Sequence, residues 1–177
     1  CCATDKKFVN YWLHNEHLLV DSQKMSKSLG NFYTIRDLIE KDFSPESIRY
    51  TLISTHYRQK LNFTLEKLKN SQKAINKINE LKRRVNLIND SCGGSDLKNI
   101  SSDMINNFTN CLNNDLNISG ALGEVFIWIN KVFKELDENN ISSNGKLNIL
   151  SSLDSIDRVL GVINLNKNTK VDDKISD

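Results

Sequence analysis

The stretch "TLEKLKNSQKAINKINELKRRVNLIN", Thr64 to Asn89, decides how the chain folds. Leu65, Leu68, Ile75, Ile78, Val85 and Ile88 recur at helical spacing, and neither proline nor glycine interrupts them. The spacing predicts one long amphipathic helix whose apolar stripe must be covered by other elements. Downstream, "NDSCGGSD" (Asn89 to Asp96) has the composition of a linker. A second helical pattern begins near Ser101, with Met104, Ile105, Phe108 and Leu112 on one face. After "NNDLNIS" a third runs from Ala121 to Leu136, carrying Leu122, Val125, Phe126, Ile129, Val132 and Phe133. Leu147, Leu150, Leu153, Ile156 and Leu160 predict the last. Long helices joined by polar linkers imply an antiparallel bundle over residues 61–163.

Working back toward the N-terminus, the helices shorten. "SPESIRYTLIST" has Ser44 as cap, Pro45 at the first helical position and Glu46 at the positive end of the dipole. Ile48, Leu52 and Thr55 are expected to share one face of it. "TIRDLIEK" opens with Thr34 and places Asp37 three residues on, a capping-box variant. Between Phe8 and Val20 the pattern is different. Tyr11-Trp12-Leu13 and Leu18-Leu19-Val20 fit two short strands, with a turn at Asn15-Glu16.

Charge separates the regions. Nine basic and two acidic residues lie between Arg58 and Arg84, a window of +7 in a chain of +2, which leaves −5 elsewhere. No apolar run approaches the roughly 20 residues of a membrane span, and no signal peptide is visible. The four cysteines, Cys1, Cys2, Cys92 and Cys111, form no usual ligand spacing. They fit reduced thiols of a cytoplasmic protein.

Between the strands and the helices lies "VDSQKMSKSLGNF", Val20 to Phe32. Lys24 and Lys27 each bring a compact cation on a flexible stem, suited to phosphate. Ser26, Ser28 and Gly30 are small enough for a backbone to approach a ligand closely. Such a loop could neutralise charge on a departing pyrophosphate and act as a lid. The bland alternative is an exposed basic turn that binds nothing.

"KMSKS" followed by "LGN" resembles the signature loop of class I aminoacyl-tRNA synthetases. With "YWLHN" before it, and "SPESIRYTLISTHYRQKLNFT" and "NNDLNISGAL" after it, the chain resembles the cysteinyl-tRNA synthetase family from about Cys2 to Leu160. The resemblance implies a mainly α chain. Residues 1–22 would be the end of a Rossmann-type α/β catalytic domain, 23–60 the KMSKS loop and stem-contact region, 61–163 the bundle, and 164–177 a linker or frayed tail.

The family's chemistry implies that cysteine attacks the α-phosphate of ATP and that the cysteinyl group then passes to tRNA(Cys). Lys27 would contact ATP phosphate, with Lys24 assisting. Ser26, Ser28 and Met25 would shape the loop, and Mg²⁺ would share the phosphate charge. The resemblance places the family's "HIGH" motif and zinc ligands upstream of Cys1 and an anticodon domain beyond Asp177. No metal ligand is therefore expected here. Cys2 would lie near the zinc site without joining it, and His14 and His17 lack a third ligand. Lys69, Lys73 and Lys77 form a stripe suited to a tRNA backbone, although a solvated helix face would look the same. A monomer is expected.

The rival assignments are a methionyl enzyme, a paralogue joining cysteine to an amino-sugar, and a non-catalytic RNA-binding module. Two positions depart from the family pattern. Glu16 replaces a glycine, which leaves the turn type there open, and "NNDLNIS" has fewer aspartates and no proline.

Overall fold

The computed structural model describes residues 7–88 and 93–163. The expectations for Cys1, Cys2, Cys92, part of the Asn89–Asp96 linker and the 164–177 tail lie outside the described residues.

Three short strands form one sheet in the order β2-β1-β3: β1 (Leu18–Val20), β2 (Gln23–Lys24) and β3 (Leu61–Phe63). β1 and β2 are antiparallel, pairing Leu19 with Lys24 and Val20 with Gln23. Asp21 (φ 49°) and Ser22 (φ 64°) make the two-residue turn between them. Positive φ at both positions matches the twist of a tight hairpin. β3 runs parallel to β1, pairing Val20 with Phe63. Parallel neighbours need a crossover, here supplied by α1 (Ile35–Ile39) and α2 (Pro45–Ile53).

The strand expected at Tyr11–Leu13 is absent from this sheet. Those residues have no regular structure, and Tyr11 and Trp12 are 92% and 71% exposed. Aromatic residues form strands only where they pair with a partner strand, and no described strand pairs with these. Nor does Asn15-Glu16 make a turn of positive φ. Glu16 instead donates its backbone N–H to Tyr57 O at 2.8 Å.

Local signals determine the short helices. Thr34 and Asp37 exchange both bonds of the capping box, at 3.1 and 2.7 Å. The Ser44 hydroxyl accepts from Ser47 N, with Pro45 at the first helical position. The buried face of α2 is Ser47, Ile48 and Thr51. Leu52 is 44% exposed, and Thr55 falls beyond the helix. A small core of Val20, Leu38, Ile48, Phe63 and Leu68 joins the sheet to these helices and to the start of α3.

The bundle consists of α3 (Leu65–Asn86), α4 (Lys98–Asn113), α5 (Ile118–Asp137) and α6 (Ser143–Leu160). Thr64 caps α3 through Lys67 N. The apolar stripe on α3 is buried as expected at Leu68, Ile75, Ile78 and Val85, with Leu81 added. On α6 Leu153, Ile156 and Leu160 are buried as expected, and the difference is confined to the start of the helix. Ile149 is buried in place of Leu147, which is 64% exposed.

Three contacts show that the helices alternate in direction. Lys146 at the start of α6 donates to Asn86 O and Ile88 O at the end of α3. Arg84 near the end of α3 pairs with Asp137 at the end of α5 at 2.6 Å. Ser95, ahead of α4, is bridged to Ile141, ahead of α6. Trp128 lies in the middle of the core at 2% exposure, and its indole N–H donates to the buried Ser101 hydroxyl. That bond removes the penalty of burying both polar groups.

Candidate functional site

The lysine loop projects from the end of the hairpin. β2 ends at Lys24, Ser26 is extended (φ −152°, ψ 139°), and Lys27–Leu29 make one 3₁₀ turn that closes on Gly30 (φ 67°). Left-handed φ suits glycine. It lets Gly30 N–H reach Lys27 O at 3.2 Å and ends the turn before α1.

Each residue of the loop has a distinct setting. Met25 is half-buried and lines an apolar cleft of about 170 Å³ with Val20, Tyr33, Leu38, Ile48 and Phe63. It anchors the loop to the small core. The hydroxyls of Ser26 and Ser28 are 2.7 Å apart, within hydrogen-bond distance. Lys24 and Lys27 are exposed, and among the described residues neither has an ion-pair partner. The Lys27 ammonium rests 5.6 Å from the centroid of the Phe32 ring, a cation–π contact. The loop thus presents two cations that no carboxylate among the described residues pairs with.

Asn31, which the sequence reading passed over, reaches back across the loop. Its Oδ1 accepts from Ser26 N at 2.8 Å, and its Nδ2 donates to Lys24 O (3.2 Å) and Val20 O (3.4 Å). The only sequence signal was its place directly after Gly30.

The basic window of α3 is partly occupied within the fold. Lys69 and Lys73 are exposed. Lys77, also exposed, donates to Asn130 Oδ1 on α5 at 2.6 Å. Arg83 pairs with Glu80, and its guanidinium holds that carboxylate below its ordinary range. Lys67 donates to the Thr55 hydroxyl, and burial pushes its ammonium below the ordinary lysine value.

A second cluster joins the segment after α2 to the turn between α4 and α5. Asp115 accepts from Tyr57 Oη (2.6 Å) and from Arg58 Nε (2.8 Å), while His56 Nε2 donates to its carbonyl at 2.7 Å. Arg58 N–H donates to His56 Nδ1 at 3.3 Å, which makes Nδ1 the acceptor and leaves the ring proton on Nε2. The Arg58 and Tyr57 bonds lower the Asp115 carboxyl, and the Asp115 bond raises the Tyr57 hydroxyl. Asp115 and Leu116 both have positive φ, 52° and 54°. The departure from the family pattern in "NNDLNIS" therefore falls in a turn fixed from outside by the His56–Arg58 segment.

His14 and His17 are both exposed, and His14 stacks on Trp12. Among the described residues no three His, Cys, Asp or Glu side chains converge as a metal centre requires. These residues do not fit zinc.

Residues 1–73 match the family described as tRNA synthetases class I (C) catalytic domain. The chain is 42% identical to the cysteine–tRNA ligase of Brachyspira hyodysenteriae over 98% of its own length and 38% of that protein. It is 37% identical to that of Protochlamydia amoebophila (93% and 34%) and 41% identical to that of Leptospira interrogans (90% and 35%). The chain is similar to cysteine–tRNA ligases over most of its own length and spans about a third of the length of these curated relatives. Among the described residues no helix is long and apolar enough to cross a membrane.

Proposed function

We propose that this chain supplies the ATP-phosphate loop and the helical bundle of a ligase that activates cysteine with ATP and transfers it to tRNA(Cys). The observation that carries the proposal is Lys27. It is an exposed cation with no carboxylate partner among the described residues, held on a short loop that is tied down on both sides.

When a cysteine carboxylate attacks the α-phosphate, the bond to pyrophosphate breaks and negative charge moves onto the leaving group. Lys27 meets that charge, and Lys24 assists from the end of β2. A cation already placed there stabilises the transition state without reorganising. Met25 holds the loop against the small core, and Ser26 and Ser28 shape its backbone. Mg²⁺ would lower the phosphate charge further. Lys69, Lys73 and Lys77 are the residues proposed for the tRNA backbone, and Lys77 would exchange its bond to Asn130 for phosphate.

The test is Lys27→Ala in a full-length enzyme carrying this stretch. Cysteine-dependent ATP–pyrophosphate exchange should fall about 10²- to 10³-fold, with cysteine binding unchanged. Exchange at the wild-type rate would refute the role.

A further inference from the structure

We infer that Asn31 is a positioning residue for the lysine loop: its amide latches the loop and thereby places Lys27. The inference builds on the proposed phosphate role of Lys27 and assigns what holds that lysine in position.

β2 is two residues long and ends at Lys24, so Ser26 N–H has no strand to pair with. Val20 and Lys24 are the last residues of β1 and β2. One amide side chain reaches the Ser26 N–H and both of their carbonyls. Oδ1 of Asn31 takes the Ser26 N–H at 2.8 Å, and Nδ2 donates both its protons, to Lys24 O at 3.2 Å and Val20 O at 3.4 Å. One acceptor and two donors are what a carboxamide carries. The partners also fix its orientation, because an N–H faces the oxygen and two carbonyls face the nitrogen. Aspartate could take the Ser26 N–H but could not donate to the carbonyls.

The consequence is geometric. Lys24 and Asn31 are joined through the Asn31 side chain, which closes residues 24–31 into a ring. Lys27 is in the middle of that ring, on the 3₁₀ turn that follows Ser26. The other constraints on the ring are Met25 packed against the small core, the Ser26–Ser28 hydroxyl pair, and the turn bonds from Leu29 N–H to Ser26 O and from Gly30 N–H to Lys27 O, while Lys27 stacks on Phe32 just beyond it. The start of the turn is set by Asn31. Without the latch the Ser26 N–H is no longer held and the backbone there can shift, and the Lys27 ammonium, four bonds beyond its Cβ, shifts with it. Misplacement of a reacting or charge-stabilising group by about 1 Å costs about 10²-fold in rate.

Two measurements test the latch. In a full-length enzyme carrying this stretch, Asn31→Ala should lower ATP–pyrophosphate exchange about 10²-fold, through kcat and the KM for ATP, with the KM for cysteine unchanged. In the Lys27→Ala background the same change should cost less than about threefold, because the loop has no ammonium left to place. A purely structural role would give the full loss in both backgrounds and would overturn the inference. So would wild-type exchange in Asn31→Ala.

The second measurement is independent of activity. In this chain, Asn31→Ala should speed hydrogen exchange of the Ser26 amide roughly fivefold to tenfold, while the buried α3 amides around Ile78 keep their protection and report an intact fold. An unchanged Ser26 amide overturns the latch. Wild-type exchange in Lys27→Ala strikes down the phosphate role and with it the kinetic consequence of the latch, whereas the Ser26 amide still decides whether Asn31 holds the loop.

Discussion

Arg58 Nε stands 2.8 Å from Asp115 Oδ2, joining two positions 57 residues apart. The pair links the segment beyond α2 to the turn that opens α5. Around it, Ser119 Oγ donates to Ser54 O and Arg49 Nε donates to Leu160 O at 2.6 Å. The bundle is therefore seated on the loop-bearing half by polar contacts at one end, beside the shared packing of α2 and α3.

Asp115 is the centre of that seat, so Asp115→Ala should lower the midpoint of urea unfolding. It removes the acceptor for Tyr57 and Arg58 and puts alanine at φ 52°. Asp115→Asn should lower it less, because asparagine tolerates the left-handed region and keeps one acceptor oxygen. Equal midpoints for Ala and wild type would remove Asp115 from the seat.

The same cluster sets a pH window. The Asp115 carboxyl is held below its ordinary value of 3.8, so its contribution is complete above that value and is lost as pH falls through the lower one. Tyr57 is raised above 10.0, so its contribution is intact below that value and is lost as pH rises through the higher one. Asp37 adds to the acid side, because its bonds to Thr34 lower it too. Stability to urea should thus be level from about pH 5 to 9 with respect to these groups. Asp115→Asn should shrink the acid fall, and an acid limb of unchanged depth would contradict the assignment.

Gly145 occupies the first turn of α6, where an added Cβ would lie 2.5 Å from Ser95 O and 2.8 Å from Ile141 Cγ2. The oxygen belongs to backbone that also accepts from Ser142 N at 3.0 Å, so it cannot move away alone. Gly145→Ala should destabilise the chain by about 1–3 kcal/mol, the usual range for overpacking. Gly123, on α5, has open space at its Cβ position, and Gly123→Ala should be neutral or stabilising by up to about 1 kcal/mol. Chemical denaturation of the two variants side by side checks the contrast.

The lysine stripe predicts salt dependence. Lys69→Glu with Lys73→Glu should weaken tRNA binding and reduce its slope against log salt by about two counterion equivalents or fewer. ATP–pyrophosphate exchange should be unaffected. Binding and slope that match wild type would leave the stripe a solvated face.

How much of this was legible in the residues depends on the distance over which each feature is decided. Thr34 with Asp37 and Ser44 with Pro45 are complete within four residues, and both caps form where the sequence places them. The four bundle helices were legible because helix formation and amphipathic spacing are local. Their buried faces were legible only in part. Leu147 and Ile149 are both apolar, and the neighbours of α6 decide which is covered.

The sequence by itself determined the helices, their caps and the presence of two lysines in a small-residue loop, because each follows from contacts within a turn or two of chain. Tertiary structure decided what the strands pair with. β1 needs Leu61–Phe63, some forty residues away, and Tyr11–Leu13 has the composition of a strand without an edge to join. It also decided the work of Asn31 and Asp115. A carboxamide or a carboxylate has no role until the fold brings to it backbone groups or cations that cannot otherwise be paired, and no spacing in the chain announces that meeting.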